Sequence, residues 1–160
     1  LNKKNVKIIS DGGIKFSGDI AKALAAGADA IMMGSIFAGT DESPGKKFKS
    51  KGKIYKEYRG MGSIGAMSAG SANRYFQKNF KDKSKFVPEG VEGRVEYKGN
   101  VSKIIYQLQG GLRSSMGYIG AKNLSEIKDK AKFIKITKAG FYESMVHSVE
   151  MTQKTINFKL

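Results

Sequence analysis

The chain has 160 residues, the usual length of one domain and enough to bury a core. It contains no cysteine, which excludes disulfides and thiolate chemistry within these residues, and its single histidine, His147, cannot build a histidine-rich metal site. The net charge of +15 comes mainly from scattered lysines, which favours a solvated basic surface over a nucleic-acid interface. No apolar run is long enough to span a membrane.

The first elements that the pattern predicts are a strand, a helix and a second strand. Residues 6–10 form a short apolar run typical of a strand buried on both faces of a parallel sheet, and residues 30–33 form another. Between them, Ser17 can cap a helical pattern that stops at Gly27. Joined by short loops, these elements predict a right-handed βαβ unit and therefore an α/β fold.

A glycine-containing turn follows each predicted strand. Residues 11–13 (Asp-Gly-Gly) follow the first strand, and residues 34–35 (Gly-Ser) follow the second. The C-terminal ends of parallel strands meet at the edge of the sheet where ligands bind. Residues 35–40 have the pattern of a short helix, whose N-terminal amides would point at the same edge. The sequence therefore predicts a phosphate site here, with Asp11 able to accept hydrogen bonds from ribose hydroxyls.

The middle of the chain, residues 41–99, shows no sustained period and predicts a long functional or mobile loop. An amphipathic helix then begins at Asn100 or Ser102. The glycine pair at 110–111 in its middle predicts either close packing or a break.

The last part of the chain carries weaker signals. Residues 125–131 predict one more helical turn, and residues 133–137 alternate like a strand. After Gly140 the sequence is polar and irregular. We therefore expect a tail without regular structure at this end.

The most specific stretch is residues 58–63, Tyr-Arg-Gly-Met-Gly-Ser. Its glycines allow the backbone to approach a planar ligand, and the Tyr58 hydroxyl can donate to a phosphate oxygen. It is one of an ordered series of motifs: DGG (11–13), MMGS (32–35), YRGMGS (58–63), NRYF (73–76), PEGVEG (88–93) and GGLRSSMGYIGA (110–121). This series spans essentially the whole chain and resembles the inosine monophosphate dehydrogenases.

The resemblance implies a fold and a division of the chain. The chain would be the C-terminal part of one catalytic (β/α)8 TIM-barrel domain, beginning at the seventh strand. Its segments would be the strand–helix–strand with the phosphate helix (1–48), the loop and mobile flap (49–99), the last barrel helix (100–121) and the C-terminal segment (122–160). Two strands cannot close an eight-stranded barrel, so we expect an upstream segment that carries strands one to six.

The resemblance also implies an activity. The family oxidises inosine monophosphate (IMP) with NAD to xanthosine monophosphate, the committed step toward guanine nucleotides. A cysteine forms a covalent adduct with the nucleotide, and water then hydrolyses it. That cysteine would lie in the upstream segment. NAD and a potassium ion are the implied cofactors, and a cytoplasmic homotetramer is the implied assembly, with no membrane partner.

Residue roles follow from the matched motifs. The implied substrate-binding residues are Asp11, Gly12, Gly13, Gly34, Ser35, Tyr58, Arg59, Gly60, Met61, Gly62, Glu89 and Gly90. Within this set the two turns and Tyr58 would hold ribose and phosphate. Residues 60–62 would face the purine through backbone groups, and Glu89 and Gly90 would reach the edge of the hypoxanthine ring.

The catalytic pair implied by the resemblance is Arg74 and Tyr75. In the family this pair rides on a mobile flap that replaces the departing reduced cofactor, and Arg74 would then activate water. A guanidinium is normally protonated, so a closed, dry site with Tyr75 alongside would have to favour its neutral form or position the water.

A potassium site is also implied near the C-terminus. Main-chain carbonyls of Glu143, Ser144 and Met145 would complete it across a subunit boundary. Many relatives have histidine where this chain has Met145, a change that carbonyl ligation tolerates.

Two alternatives stay open. A guanosine monophosphate (GMP) reductase shares the barrel and the phosphate loops, but it needs no hydrolytic step and therefore no Arg74–Tyr75 pair. A basic nucleic-acid-binding module would instead use the lysine clusters with Phe76, Phe80 and Phe86, and it predicts steeply salt-dependent binding. This second alternative leaves the ordered motifs unexplained.

Overall fold

The computed structural model describes residues 6–79, 82–146, 148 and 149. Its strands and longer helices are, in chain order, β1 (Ile9–Asp11), α1 (Ser17–Ala25), β2 (Ala30–Met32), β3 (Lys47–Ser50), β4 (Lys53–Arg59), α2 (Ile64–Ser68), β5 (Glu92–Glu96), α3 (Val101–Ile119), α4 (Ser125–Lys130) and α5 (Lys138–Glu143). Short 3-10 helices occupy Ser71–Tyr75 and Lys83–Lys85. The chain divides into two compact units, the first containing residues up to Met33 and from Ser102 onward, the second Gly34–Val101.

The predicted strand–helix–strand is confirmed in the first unit. Strands β1 and β2 pair in parallel, with Ile9 opposite Ala30 and Asp11 opposite Met32. Helix α1 connects them and ends before Gly27, whose φ of +113° is a backbone conformation that favours glycine.

The predicted cap of helix α1 is wrong. Phe16, not Ser17, occupies the N-cap position. The Asp19 carboxylate instead accepts hydrogen bonds from the backbone amides of Lys15 (3.0 Å) and Phe16 (2.9 Å). A carboxylate in the first turn thus binds the amides of the N-cap residue and of the residue before it, and its negative charge lies at the favourable end of the helix dipole.

Helices α1, α3 and α4 supply the core of the first unit. The most buried apolar side chains on them are Ile20, Leu24, Ile104, Leu108 and Ile127. Ile20 and Leu24 on α1, and Ile104 and Leu108 on α3, are buried together because residues four apart share one face of a helix.

The glycine pair of helix α3 packs closely and does not break the helix. Helix α3 runs without interruption through Gly110 and Gly111. A Cβ atom placed on Gly111 would overlap the Ser17 side chain, whereas one placed on Gly110 would meet nothing within 4 Å. Of the two outcomes expected from the glycine pair, close packing is the one that occurs, and Gly111 alone requires it.

The predicted strand at residues 133–137 is wrong. These residues have no regular structure, and Phe133, Ile134 and Ile136 are 66%, 81% and 59% exposed. An alternating sequence becomes a strand only when another strand completes its hydrogen bonds. The predicted turn at 125–131 is confirmed as α4. The tail is less irregular than expected, since Thr137 caps α5 by accepting from the Gly140 amide at 3.0 Å.

The expectation of an irregular middle segment is also wrong. Strands β3, β4 and β5 form an antiparallel sheet in that order. A two-residue turn joins β3 to β4, with φ of +48° at Lys51 and +77° at Gly52, the conformation of a tight hairpin. These strands lack a strict polar–apolar alternation, since Ile54 and Tyr55 are adjacent in β4 and are followed by the adjacent Lys56 and Glu57, which is why the sequence pattern missed the sheet.

The predicted phosphate helix at 35–40 is replaced by consecutive turns. The Phe37 amide donates to the Gly34 carbonyl and the Thr40 amide donates to the Phe37 carbonyl, each at 3.0 Å. These are three-residue steps that do not extend into an α-helix. In the described part of the chain, no helix has the length and apolar character needed to cross a membrane.

Substitution of the glycine pair tests the packing of the first unit. Gly111→Ala should destabilise the protein by about 1–3 kcal/mol, because the new methyl group must push α1 away from α3. Gly110→Ala is the matched control and should stabilise by about 0.5–1 kcal/mol, the usual gain in helix propensity. The unfolding midpoints of the two variants would be compared by calorimetry. Equal stabilisation by both would contradict the close contact.

Candidate functional site

A cleft of about 1250 Å³ lies in the second unit. Tyr58 and Arg59 at the end of β4, Met61 in the following turn, and Ser71 and Arg74 on the 3-10 helix are among its lining residues. The structure therefore brings the YRGMGS and NRYF motifs to one cleft, although nine residues separate them in sequence.

The glycine loop after β4 packs backbone to backbone against the segment before β5. The Gly62 carbonyl accepts hydrogen bonds from the amides of Glu89 (3.0 Å) and Gly90 (3.1 Å), and the Gly60 amide donates to the Val91 carbonyl at 2.8 Å. A Cβ atom on Gly90 would lie 2.9 Å from the Ser63 nitrogen. Only glycine fits this approach, so the structure places Glu89 and Gly90 beside the glycine loop.

The two members of the predicted catalytic pair differ in environment. A Cβ atom on Gly62 would lie 3.0 Å from two carbons of the Tyr75 ring, so this ring lies against the glycine loop. Tyr75 also packs on the buried cluster of Met67, Ala72 and Phe86. Arg74, one residue earlier, is exposed and lines the cleft. The backbone of this segment is thereby anchored while the guanidinium faces the cleft.

Two side chains that no sequence signal marked hold the segment of the predicted catalytic pair in place. The side-chain amide of Gln77 is buried and makes two hydrogen bonds with the Val87 backbone, accepting from its nitrogen at 2.8 Å and donating to its oxygen at 3.1 Å. The Ser71 hydroxyl donates to the Met61 carbonyl at 2.5 Å. No sequence signal marks Gln77, because it bonds to the backbone of Val87. The identity of the Val87 side chain does not affect these hydrogen bonds.

The serine of the YRGMGS motif has a structural role. Ser63 is 1% exposed, and its hydroxyl caps α2 by accepting from the Ala66 amide at 3.2 Å. The Glu92 carboxylate accepts from the Gly65 amide at 2.7 Å, and Arg59 donates to the Gly65 carbonyl at 3.4 Å. The first turn of α2 is thus tied to the ends of β4 and β5.

Two lysines hold the segment that follows Gly34 and Ser35. The Lys98 ammonium donates to the carbonyls of Ser35 (3.2 Å) and Ile36 (2.8 Å). The Lys56 ammonium is buried and donates to the carbonyls of Thr40 (2.6 Å) and Ser43. The sequence analysis assigned neither lysine a role, and their spacing in sequence does not reveal these contacts.

Asp41 in the same segment also accepts hydrogen bonds. Its carboxylate accepts hydrogen bonds from the Lys47 ammonium at 2.9 Å and from the Tyr97 hydroxyl. The hydrogen bond from Lys47, followed by that from Tyr97, lowers the pKa of the Asp41 carboxyl below its ordinary value.

The two turns expected to share a phosphate lie in different units. Asp11 is the exposed last residue of β1, and Gly12 and Gly13 have φ of +89° and +77°, which non-glycine residues rarely adopt. Gly34 and Ser35 begin the second unit. A shared phosphate site therefore stays a prediction.

The predicted potassium ligands lie at the end of helix α5. Glu143 is its last residue, Ser144 its C-cap, and Met145 follows at 48% exposure. Within the described residues there is no group of three or more His, Cys, Asp or Glu side chains that could hold a metal, so a site here would depend on carbonyl oxygens. His147 lies outside the described residues.

Comparison with known proteins gives the family. The model of the IMP dehydrogenase / GMP reductase domain matches residues 1–147. An inosine-5'-monophosphate dehydrogenase from Methanocaldococcus jannaschii is 57% identical over 98% of this chain and 33% of its own length. One from Chlorobaculum parvum is 56% identical over 98% of this chain and 32% of its own length.

A solved structure agrees with these matches. A GMP reductase from Trypanosoma brucei in complex with guanosine 5'-monophosphate has a TM-score of 0.77 and 44% identity, covering 93% of this chain and 29% of that chain. The chain spans about a third of the length of the curated relatives. With the family model matching nearly its whole length, and with the glycine loops and the Arg74–Tyr75 segment around one cleft, the chain belongs to the IMP dehydrogenase / GMP reductase family.

Proposed function

We propose that the chain is the C-terminal part of an IMP dehydrogenase. The complete enzyme would convert IMP, NAD and water to xanthosine monophosphate, NADH and a proton, the committed step of guanine nucleotide synthesis. The observation that carries this proposal is the cleft of the second unit, where the exposed Arg74 and the glycine loop face the same space. Identities of 56–57% to IMP dehydrogenases over 98% of the chain support it.

An upstream segment would complete the barrel and supply the catalytic cysteine. Strands β1 and β2 have three residues each, and a two-stranded sheet of that length is not stable alone. Their apolar side chains are exposed, with Ile9 at 60% and Met32 at 51%. Such residues are typical of strands buried on both faces of a larger parallel sheet. These features support the assignment of β1 and β2 as the last two strands of a (β/α)8 barrel.

The nucleotide would be bound along the glycine loops. The turn at 11–13 and the segment beginning at Gly34 and Ser35 would hold ribose and phosphate, with the Tyr58 hydroxyl donating to a phosphate oxygen. Residues 60–62 would face the purine through backbone groups, because the absence of side chains at Gly60 and Gly62 allows a close approach. Glu89 and Gly90, which bond to the Gly62 carbonyl, would reach the edge of the ring.

The reaction would take place in two steps. The cysteine of the upstream segment would add to C2 of the purine, and NAD when bound would accept the hydride from that carbon. Arg74 would then take a proton from water, whose oxygen attacks C2 and releases the cysteine. Because Tyr75 is held by packing and Arg74 is exposed, the guanidinium can reach the cleft while its backbone stays in place.

The C-terminal end of helix α5 offers the oxygen ligands that a potassium ion requires. Carbonyl oxygens concentrate where a helix ends, and hard cations prefer oxygen ligands. Glu143, Ser144 and Met145 would hold the ion through their carbonyls, and its part would be to order the chain around the site. The exposed apolar side chains of Phe133, Ile134 and Ile136, just before this helix, support coverage by another chain in a homotetramer. A cytoplasmic location is proposed on family resemblance alone.

The second candidate is a GMP reductase. The similarity of the Trypanosoma brucei structure, at 44% identity, favours it enough to require a test. The Arg74–Tyr75 pair favours the dehydrogenase, because the reductase reaction has no hydrolytic step. The full-length protein would be assayed with IMP and NAD and, separately, with GMP and NADPH. Consumption of NADPH with release of ammonia from GMP, and no NADH from IMP, would reverse the assignment.

A nucleic-acid-binding module explains the structure less well. Several lysines are engaged within the fold, since Lys56 is buried and Lys47 and Lys53 pair with carboxylates. Of the aromatic residues proposed for this role, Phe76 is 98% exposed but Phe86 is buried in the core cluster. Phe80 lies outside the described residues.

Arg74 provides the first test of the two-step chemistry. In the full-length protein, Arg74→Ala should retain the burst of NADH from hydride transfer but slow hydrolysis by about a hundredfold or more, so that the covalent adduct accumulates. Arg94→Ala is the matched control, since Arg94 stacks on Tyr55 at 4.5 Å and is absent from the cleft lining. Stopped-flow absorbance and mass spectrometry would measure the burst and the adduct. Equal slowing of both steps by Arg74→Ala would refute its assigned role.

Gln77 tests how the catalytic pair is anchored. Gln77→Leu removes both hydrogen bonds to the Val87 backbone, at a cost of about 0.5–1.5 kcal/mol for each bond. Amides of residues 71–77 should then exchange hydrogen about tenfold faster or more, whereas those of α3 should not change. Gln109→Leu, at an exposed position of α3, is the control. Unchanged exchange at 71–77 would show that the apolar packing of Tyr75 suffices.

A further inference from the structure

We infer that Lys56 and Lys98 form a two-lysine clamp, which holds the carbonyl groups of residues 35–43 and thereby directs the Ile36 amide, at the start of this segment, toward the nucleotide phosphate. The inference rests on the proposed function, because it assigns positioning residues to the phosphate site. Neither lysine is proposed to touch the nucleotide.

Lys98 acts at the beginning of the segment. Its ammonium donates to the carbonyls of two successive residues, Ser35 and Ile36, at 3.2 and 2.8 Å. In a trans peptide the carbonyl and the N–H of the same unit point in opposite directions. The Ser35 carbonyl therefore turns toward Lys98 while the amide of Ile36 turns away from it. An ammonium on the carbonyl side also polarises the peptide and strengthens its N–H as a donor.

Lys56 acts at the end of the segment. Its ammonium has three donors, which meet the carbonyls of Thr40 and Ser43 and, at 3.4 Å, the Ser43 hydroxyl. Lys56 is 2% exposed and Thr40 is 1% exposed, so this bonding is in the interior of the second unit. Burying an ammonium group destabilises the folded protein unless each of its N–H donors has a hydrogen-bond acceptor. The carbonyls of Thr40 and Ser43 must therefore stay within hydrogen-bonding distance of Lys56.

The backbone near Lys98 already fixes the distance between its side chain and the segment. The Lys98 amide donates to the Gly39 carbonyl at 2.8 Å, and the Asp41 amide donates to the Gly99 carbonyl at 2.9 Å. A Cβ atom on Gly39 would overlap the Glu96 carbonyl, so the contact also requires glycine. The Lys98 side chain then returns along the segment to Ser35. The segment is therefore attached to the sheet at both of its ends.

The clamp connects the phosphate segment to the rest of the site. Lys56 lies on β4 two residues before Tyr58, and Lys98 follows the end of β5, the strand paired with β4. The sheet that carries the glycine loop thus also sets the phosphate segment. Two positive charges close to the segment add attraction for a phosphate dianion.

Lys98→Met tests the inference, since Lys98 is exposed and its loss should leave the fold intact. In the full-length protein, KM and Kd for IMP should rise about tenfold, the scale of a lost charge-assisted hydrogen bond. The kcat at saturating IMP and the KM for NAD should stay as in the wild type. Lys98→Arg should restore most of the affinity, because a guanidinium can also donate to both carbonyls. Steady-state kinetics and calorimetry would give these values.

Lys53→Met is the matched control, because it removes the same charge and an ion pair with Glu96 (3.2 Å) from the same sheet. It should leave the affinity for IMP unchanged. The clamp is refuted if Lys98→Met binds IMP as tightly as Lys53→Met, or if kcat and the KM for NAD worsen together with the KM for IMP. Failure of the wild type to oxidise IMP would refute the proposed function alone, because calorimetric Kd values for IMP and GMP would still test the clamp.

Discussion

The backbone-to-backbone contact between two glycine loops is the constraint on which the second unit depends. The Gly62 carbonyl receives the amides of Glu89 and Gly90, and no side chain fits between the loops. Because this contact joins the end of β4 to the start of β5, it sets where the first turn of α2 begins. It also provides the surface on which the Tyr75 ring lies. Removing the space that glycine provides would separate the proposed purine loop from the proposed catalytic pair.

Polar side chains extend this arrangement by bonding to backbone rather than to each other. Gln77 bonds to Val87, Ser71 to Met61, and Lys56 and Lys98 to the carbonyls of the segment after Gly34. Such bonds depend on the path of the main chain and not on the partner's side chain. They leave the exposed groups of the cleft, Arg74 above all, available for chemistry.

Sequence reasoning succeeded where a short-range pattern has one structural outcome. The amphipathic helix α3 and the parallel pairing of the first two strands appeared as expected. The contact at Gly111 selected close packing over the break that the glycine pair also allowed. Sequence reasoning failed where the outcome depends on a distant partner. The alternation at 133–137 has no strand to pair with among the described residues, whereas β3, β4 and β5 form a sheet although their sequences do not alternate regularly.

The same distinction between local pattern and distant partner applies to the candidate site. The residue types and their order along the chain were sufficient to predict the family, which the family model matching residues 1–147 confirms. Which of these residues face one cleft, and which side chains hold them there, depended on the tertiary structure. Gln77, Lys56 and Lys98 have no motif, since a hydrogen bond to backbone can be made by many residues at many separations in sequence. Only the path of the folded chain brings those donors to the carbonyls and amides that they bind.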